Sequence, residues 1–472
     1  MKILAINICL RPYLKQTYPP MGLGYILTAI NRAGFDCELL DIDAHRYSDS
    51  EVEKIIRTKK FDVAVFGCIV TGYKIVKWLA DTIKQKDKKI PIIVGNSVAT
   101  SIPEFLLSKT KVDIAVMGEG DLTIIELLSV IANNGPLEEV KGICFKKSQN
   151  VIRTGERPLI SEIDQIPNVD WGLFDTDLYL DRSKDGVPRP YLIDYNSVRA
   201  MPVVSARGCL YECSFCYHVF KGRGYRSRSP KSICEEIKQL KARYNINFIN
   251  FRDDLTFYSK AHCSALCDEI IKGGLNDLIY SACTRADFLG EGDFELAQKM
   301  KKAGFNYILY SLESADPEIL KAMNKRISAD RFKIQSRVLH EAGIFTETSL
   351  VFGYPQETAK TIQKTFDVCF EAGIYPSVGY ITPQPGTAIY DYAKNEKKIC
   401  DEEEYLIEVI GDRQDFRINL TQMDQQEIES LVKENLAALS GRLNLQLSEN
   451  KLIKTEQSIF MNQGADKWLK EI

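Results

Sequence analysis

The stretch GCLYECSFCYH, residues 208–218, sets Cys209, Cys213 and Cys216 at C-x3-C-x2-C spacing with aromatic residues threaded between them. A structural zinc site wants a closed tetrahedral set of four ligands, usually two pairs split by a longer loop. His218 is a nominal fourth ligand, but it lies two residues from Cys216, which strains the chelate, and no second CxxC pair lies nearby. A packing role is poorer still, because loops hold few fully buried positions. A four-iron cluster ordinarily takes four thiolates. Three cysteines would leave one iron with an open coordination site, where a substrate or cofactor can bind the metal directly.

The flanking sequence locates this loop. From about residue 200, the strand-like runs PVVSA, NINFINF, LIYSACT, NYILYSL, FTETSLVFG and PSVGYIT alternate with helical stretches. Six such units read as a partial, TIM-like (β/α)6 barrel, and barrels of this type carry their chemistry in the loops after the strands. The three cysteines follow the first strand, at that end.

Upstream, KILAINI, CELLDID, FDVAVFG, IPIIVG and VDIAVMG alternate with MGLGYILTAINRAG, TGYKIVKWLADTIKQK and DLTIIELLSVIANNG. This alternation means βαβ units and a parallel sheet covered on both faces. Five strands in this order predict a doubly wound, Rossmann- or flavodoxin-like domain, which binds ligands beyond the carboxyl ends of its strands. Gly67, Gly95 and the turn Gly118-Glu119-Gly120 fall there. A hairpin-like piece, GICFKKSQNVIRTG, and an ordered connector come next.

The C-terminal part reads as helical. TQMDQQEIESLVKENLAALSG opens on a Thr421/Asp424 capping signal, puts Ile428, Leu431, Val432, Leu436 and Leu439 on one face, and ends at Gly441. The expected division is 1–135, 136–199 as connector, 200–395, and a helical 396–472.

A net charge of −3 gives no general attraction to nucleic acid or acidic lipid. No run approaches the ~18 apolar residues of a membrane span. The N-terminus, MKILAINICLRPYLK, has too short an apolar stretch for a signal peptide. Thirteen cysteines without an export signal read as reduced thiols in a cytoplasmic protein.

The cysteine spacing, with Phe215 just before the third thiol, resembles the signature of the radical S-adenosylmethionine (SAM) superfamily. The resemblance implies a [4Fe–4S] cluster on Cys209, Cys213 and Cys216, whose open iron takes SAM. Electron transfer then cleaves SAM to a 5′-deoxyadenosyl radical that removes hydrogen from a substrate. Further likenesses follow successive strands. RDDLTFY would turn Asp253 and Asp254 toward the amino end of SAM. SACTRADFL offers Arg285 for its carboxylate, LYSLESADPEILKAMNK offers Glu313 near the ribose or amino group, and VFGYPQET a backbone approach at Gly353. KGRGYRSRS reads as a lid over the cluster.

The front half, through YPPMGLGYILTAINRAGFDCELLDID, IPIIVGNSVATSIPEFL and VDIAVMGEGDLT, resembles the cobalamin-binding domain that precedes many of these enzymes. Pro19, Pro20 and Gly22 would shape the start of the first helix. Gly95, Asn96 and the turn at Gly118, Glu119 and Gly120 would let backbone approach the corrin's nucleotide tail. The D-x-H-x-x-G ligand motif after the first strand is absent, and His45 reads as a surface residue. That leaves GCIVTGY, with Gly67, Cys68 and Thr71, beside the lower face of cobalt; Asn96 stands where a second glycine is frequent, and asparagine tolerates the left-handed region.

With both cofactors, the reaction implied is methyl transfer to an unactivated carbon. A cobalamin-dependent radical cyclase or rearrangement is the alternative, as is a radical SAM enzyme with an empty front domain. Such chemistry needs an electron donor such as flavodoxin or ferredoxin. No side chain is assignable as the substrate's acid or base.

Overall fold

In a computed structural model of the chain, the structure describes residues 1–12, 17–186, 195–445, 447–449 and 452–453. Strands β1 (Lys2–Asn7), β2 (Asp36–Asp41), β3 (Val63–Gly67), β4 (Ile92–Gly95) and β5 (Ile114–Val116) form a parallel sheet. Strands β6 (Ile143–Lys147) and β7 (Asn150–Arg153) extend it antiparallel, in the order β2-β1-β3-β4-β5-β6-β7. The hairpin expected within the connector therefore belongs to the first sheet. Alternate residues feed opposite cores: Leu4, Ile6, Ala64 and Phe66 pack on one face, Ile3, Val63 and Val65 on the other. A sheet buried on both faces explains why its strands read as continuous Val and Ile runs.

The second half holds β8 (Ala200–Val203), β9 (Ala206–Gly208), β10 (Tyr225–Ser227), β11 (Phe248–Phe251), β12 (Ile279–Cys283), β13 (Phe305–Leu309), β14 (Phe345–Glu347), β15 (Ser349–Phe352) and β16 (Ser377–Tyr380). Parallel pairing runs β14-β13-β12-β11-β8, β15 pairs with β16, and a bridge from Glu313 to Leu350 joins the two pieces into the partial barrel.

Two expected strands divide. PVVSA breaks after Val203, because the Asp253 carboxylate captures the amides of Ser205 (2.8 Å) and Ala206 (3.0 Å) and turns the chain out of the ladder. Residues 206–208 instead pair antiparallel with 225–227. FTETSLVFG breaks at Thr348, whose hydroxyl accepts from Leu312 N at 3.0 Å.

Period-two alternation sets what faces the lumen. Ala200, Phe248, Ile279, Tyr307 and Phe345 gather with Tyr18 in a separate small core at the barrel floor. Their neighbours Met201, Ile249, Tyr280 and Ile308 belong to the large outer core beneath the helices.

The C-terminal region is less helical than expected: 410–424 is irregular, and most residues beyond 445 lie outside the described set. The helix Gln425–Arg442 is capped by Asp424, not Thr421, and runs through Gly441. Thr421 instead organises the preceding turn with Asn419. Ile428, Val432, Leu436 and Leu439 are buried in the outer core, each such side chain contributing about 2 kcal/mol. That burial seats the helix on the barrel.

Candidate functional site

The neck of the cysteine loop is the β9–β10 ribbon. Gly208 sits at φ +87°, and a Cβ there would strike the Gly224 carbonyl, so only glycine lets the ribbon close. The loop is pinned at several points. Ser214 donates its amide to Met323 O (2.9 Å) and its hydroxyl to Ala322 O (2.8 Å), and meets Tyr354 Oη at 2.6 Å. Lys221 donates to the carbonyls of Cys213 (3.1 Å) and Cys216 (2.7 Å). Phe215 packs edge-on to Tyr354, at 6.4 Å between centroids.

The three thiols share one electrostatic neighbourhood. Burial, then Cys213 and Asp254, push Cys216 up to about 12, and burial also raises Cys209. The thiolate forms of Cys209 and Cys216 are therefore disfavoured until a cation binds. Among the described residues no three His, Cys, Asp or Glu side chains sit close enough to hold one metal ion. Three thiols on one pinned loop are the donor set that a four-iron cluster with one open iron takes.

The other predicted residues divide by what they already bind. Asp253 is spent on Ser205 and Ala206, including a 2.6 Å bond from Ser205 Oγ. Asp254 accepts from the Gly208 amide, is 38% exposed, and lies 3.6 Å from His218 Nδ1. Both His218 ring nitrogens are buried without a hydrogen-bond partner. Arg285 is a brace: it donates to the carbonyls of Lys325 and Arg326, pairs with Asp287 at 3.2 Å and stacks on Tyr211 of the cysteine loop at 3.6 Å.

Glu313 is the strained member, at φ +63° and 6% exposed. One of its oxygens accepts from Lys325 Nζ at 3.0 Å, and the other is buried with no partner. Backbone strain and an orphaned oxygen at one residue are the marks of a ligand position. Gly353, at φ +96°, has Ile381 and Phe416 at 3.1 Å from where a Cβ would sit.

At the carboxyl ends of the first sheet, the loop 67–73 carries Ile69, 45% exposed. Behind it Cys68 is buried, and a Cβ on Gly72 would run into the Cys68 sulfur. Ser97 Oγ accepts from Val70 N at 2.9 Å and fixes the turn, with Thr71 half-buried beside it. Asn96 takes φ +69°, the left-handed geometry expected of it, and Gly95 and Gly22 have open space where a side chain would project. Pro20 precedes the first turn of the helix Met21–Arg32. An exposed apolar tip beside uncrowded glycines fits a flat corrin.

The turn at Gly118–Gly120 differs from expectation. Glu119 does not face open space: Arg207 reaches it at 2.6 Å and Arg226 at 3.1 Å, and Ile160 N donates to it at 2.8 Å. Arg207 also spans both oxygens of Asp121, at 2.8 and 3.0 Å. All three members of this core are nearly buried. Sequence reading missed Arg207 and Asp121; the hint was an arginine two residues before Cys209.

The basic loop is correspondingly no lid. Lys221, Arg226 and Arg228 are committed to the cysteine carbonyls, Glu119 and Glu236, and Arg223 to Arg157 O at 2.9 Å.

Two further contacts join the same ends of the two sheets: Ser101, after β4, meets Tyr217, and Arg11, after β1, pairs with Asp412 at 3.3 Å. The strand-end loops of the first sheet thus lie against those of the barrel.

The fold and these loops define a two-part α/β enzyme whose cysteine loop and glycine-lined sheet end share one interface. The family model for the B12 binding domain matches residues 10–128, and that for the Radical SAM superfamily matches 203–369. The chain belongs to the radical SAM enzymes that carry a cobalamin-binding domain, and its cofactors are a [4Fe–4S] cluster, SAM and cobalamin.

An uncharacterised methyltransferase of Pyrococcus horikoshii is 28% identical over 83% of this chain and 84% of its own. The anaerobic magnesium-protoporphyrin IX monomethyl ester cyclase of Cereibacter sphaeroides is 25% identical over 82% of this chain, which spans 62% of that protein. The radical SAM methyltransferase TsrM of Kitasatospora setae, solved with cobalamin and a [4Fe–4S] cluster, shares the fold with a TM-score of 0.67 at 19% identity, over 84% of this chain and 75% of its own. Among the described residues no helix is long and apolar enough to cross a membrane.

Proposed function

We propose that this enzyme methylates an unactivated carbon of its substrate. The observation that carries the reading is the meeting of the two sets of strand-end loops, through Glu119–Arg207, Ser101–Tyr217 and Arg11–Asp412. A substrate carbon held there lies between the two cofactors, within reach of each. The bound cluster and SAM supply a 5′-deoxyadenosyl radical, and cobalamin supplies the methyl group.

The chain's own residues hold and orient. Cys209, Cys213 and Cys216 bind three irons and leave the fourth for SAM. Asp254 and the orphaned oxygen of Glu313 accept hydrogen bonds from its amino group or ribose, with Gly353 giving backbone approach. Phe215 and Tyr354 hold the cysteine loop against the barrel. Asp253 and Arg285 act one step back, bracing the strand ends. The loop from Gly67 through Cys68 and Thr71 would hold the corrin, with Gly22 and Gly95 leaving open space beside it and Pro20, Asn96, Gly118 and Gly120 shaping the turns around its nucleotide tail.

In this reading residues 1–153 form the cobalamin-binding domain, 200–395 the radical SAM barrel, and 396–445 a C-terminal cover. A small reductase such as flavodoxin or ferredoxin delivers the electron, in the cytoplasm; the thirteen free thiols favour such a reducing compartment. The likeness to the cyclase supports a second reading, radical ring closure without methyl transfer.

The test is to load the protein anaerobically with iron, sulfide and hydroxocobalamin, add SAM and a reductant, and measure 5′-deoxyadenosine and S-adenosylhomocysteine. Both products, the second only with cobalamin, support methyl transfer. 5′-Deoxyadenosine alone favours the cyclase reading, and neither product overturns both.

A further inference from the structure

The barrel lumen above its floor is polar and carries charge that the chain does not neutralise. Alternation places Asn250, Ser281, Ser311, Glu347, Ser349 and Ser377 on the inward faces of their strands. Glu347 shares that face with Phe345 of the floor, and the outward Thr346 between them bonds His340 at 2.6 Å. Glu347 is only 4% exposed, yet Arg413 is its one charged influence.

Arg413 comes from the irregular segment that follows residue 409. Its carbonyl accepts from Tyr380 N at 2.6 Å, so this segment lies along the free edge of β16. Its stem crosses Gly379, where a Cβ would sit 3.1 Å from its Cγ and Cδ. Its guanidinium reaches Ser377 Oγ at 3.3 Å, a weak bond for a full charge. Arg252, just past β11, lies 5.4 Å from the ring of Tyr18. Among the described residues neither arginine meets a carboxylate within ion-pair distance. Two cations without a carboxylate partner at a serine-lined lumen form a receptor for an oxyanion.

We infer that the lumen is the substrate pocket of this enzyme, that Arg252 and Arg413 bind a carboxylate or phosphate group on the substrate, and that Glu347 borders the same group. The inference rests on the proposed reaction and adds the substrate's class: a molecule carrying a carboxylate or phosphate group. A side chain at Gly379 would crowd the stem of Arg413.

The test uses the cofactor-loaded full chain and calorimetric titration with three probes sharing one body: 3-phenylpropionate, 2-phenylethyl phosphate and the neutral 3-phenylpropanamide. The expected result is binding of one or both anions at least about tenfold tighter than the amide. Arg252→Gln and Arg413→Gln each weaken anion binding by about tenfold or more, while Glu347→Gln, which removes a negative neighbour, strengthens it. The two anions identify which oxyanion the pocket takes. The inference is overturned if the amide binds as well as the anions, if both arginine variants bind them unchanged, or if no probe binds at millimolar concentration. Iron, corrin and SAM cleavage measured on the same wild-type preparation separate failure of this inference from failure of the proposed reaction.

Discussion

Replacing Arg207 with methionine tests the junction between the two halves. The side chain is 9% exposed and makes three charged hydrogen bonds, one to Glu119 and two to Asp121. It also lies 4.9 Å from the ring of Tyr25. Methionine keeps most of the apolar stem, so the change isolates the charge. Glu119 retains Arg226 and the amide of Ile160, whereas Asp121 loses the partner of both its oxygens. Removing one partner from a buried pair costs about 3–5 kcal/mol, and the surviving contacts of Glu119 place this case near about 3. Trp171, nearly fully buried in the same core as Tyr25, is a fluorescence reporter. Urea unfolding of wild type, R207M, D121N and the double variant closes a cycle. The double variant should cost less than the sum of the singles by about 1–3 kcal/mol. A cost below about 1 kcal/mol for R207M, or additive singles, would refute the argument that this pair holds the halves together.

Glu357 is 3% exposed, and burial pushes its carboxyl up to about 7, with Thr361 and the Gly353 amide opposing and Asp316 reinforcing. The folded state then holds a proton that the unfolded chain releases near pH 4.5, so stability falls between about pH 4.5 and 7, by up to roughly 3 kcal/mol. Burial also pushes Glu347 to about 7, so Glu357→Gln should remove only part of the slope in urea midpoints; an unchanged slope contradicts the assignment. Gly72→Ala drives a methyl into Cys68 and Leu10, costs about 1–3 kcal/mol, and should lower corrin retained per chain after gel filtration. Retention equal to wild type would detach the 67–73 loop from the corrin.

The sheets were legible because period and punctuation agree along the chain. KILAINI, FDVAVFG and NINFINF all contain the strands expected of them, and Asn96 adopts its left-handed geometry. Strand breaks were not legible. PVVSA ends early because a carboxylate 48 residues away takes its amides, which no local pattern encodes. The partners of charged residues were not legible for the same reason. Arg285 and Glu119 looked like ligand groups by position, yet each is occupied by a partner distant in sequence. Arg207, Lys325 and Arg413 carry no local signal, because their contacts lie far away in sequence or along another element. The three cysteines stand out in the sequence because their spacing falls within one short loop.

The most direct measurement is iron, sulfide and corrin per chain after anaerobic reconstitution, with electron paramagnetic resonance of the reduced protein before and after SAM. The account predicts a [4Fe–4S] cluster and one corrin per chain, a cluster signal that shifts when SAM binds, and loss of the cluster in Cys213→Ala. Zinc in place of iron, or a cluster signal indifferent to SAM, would contradict it.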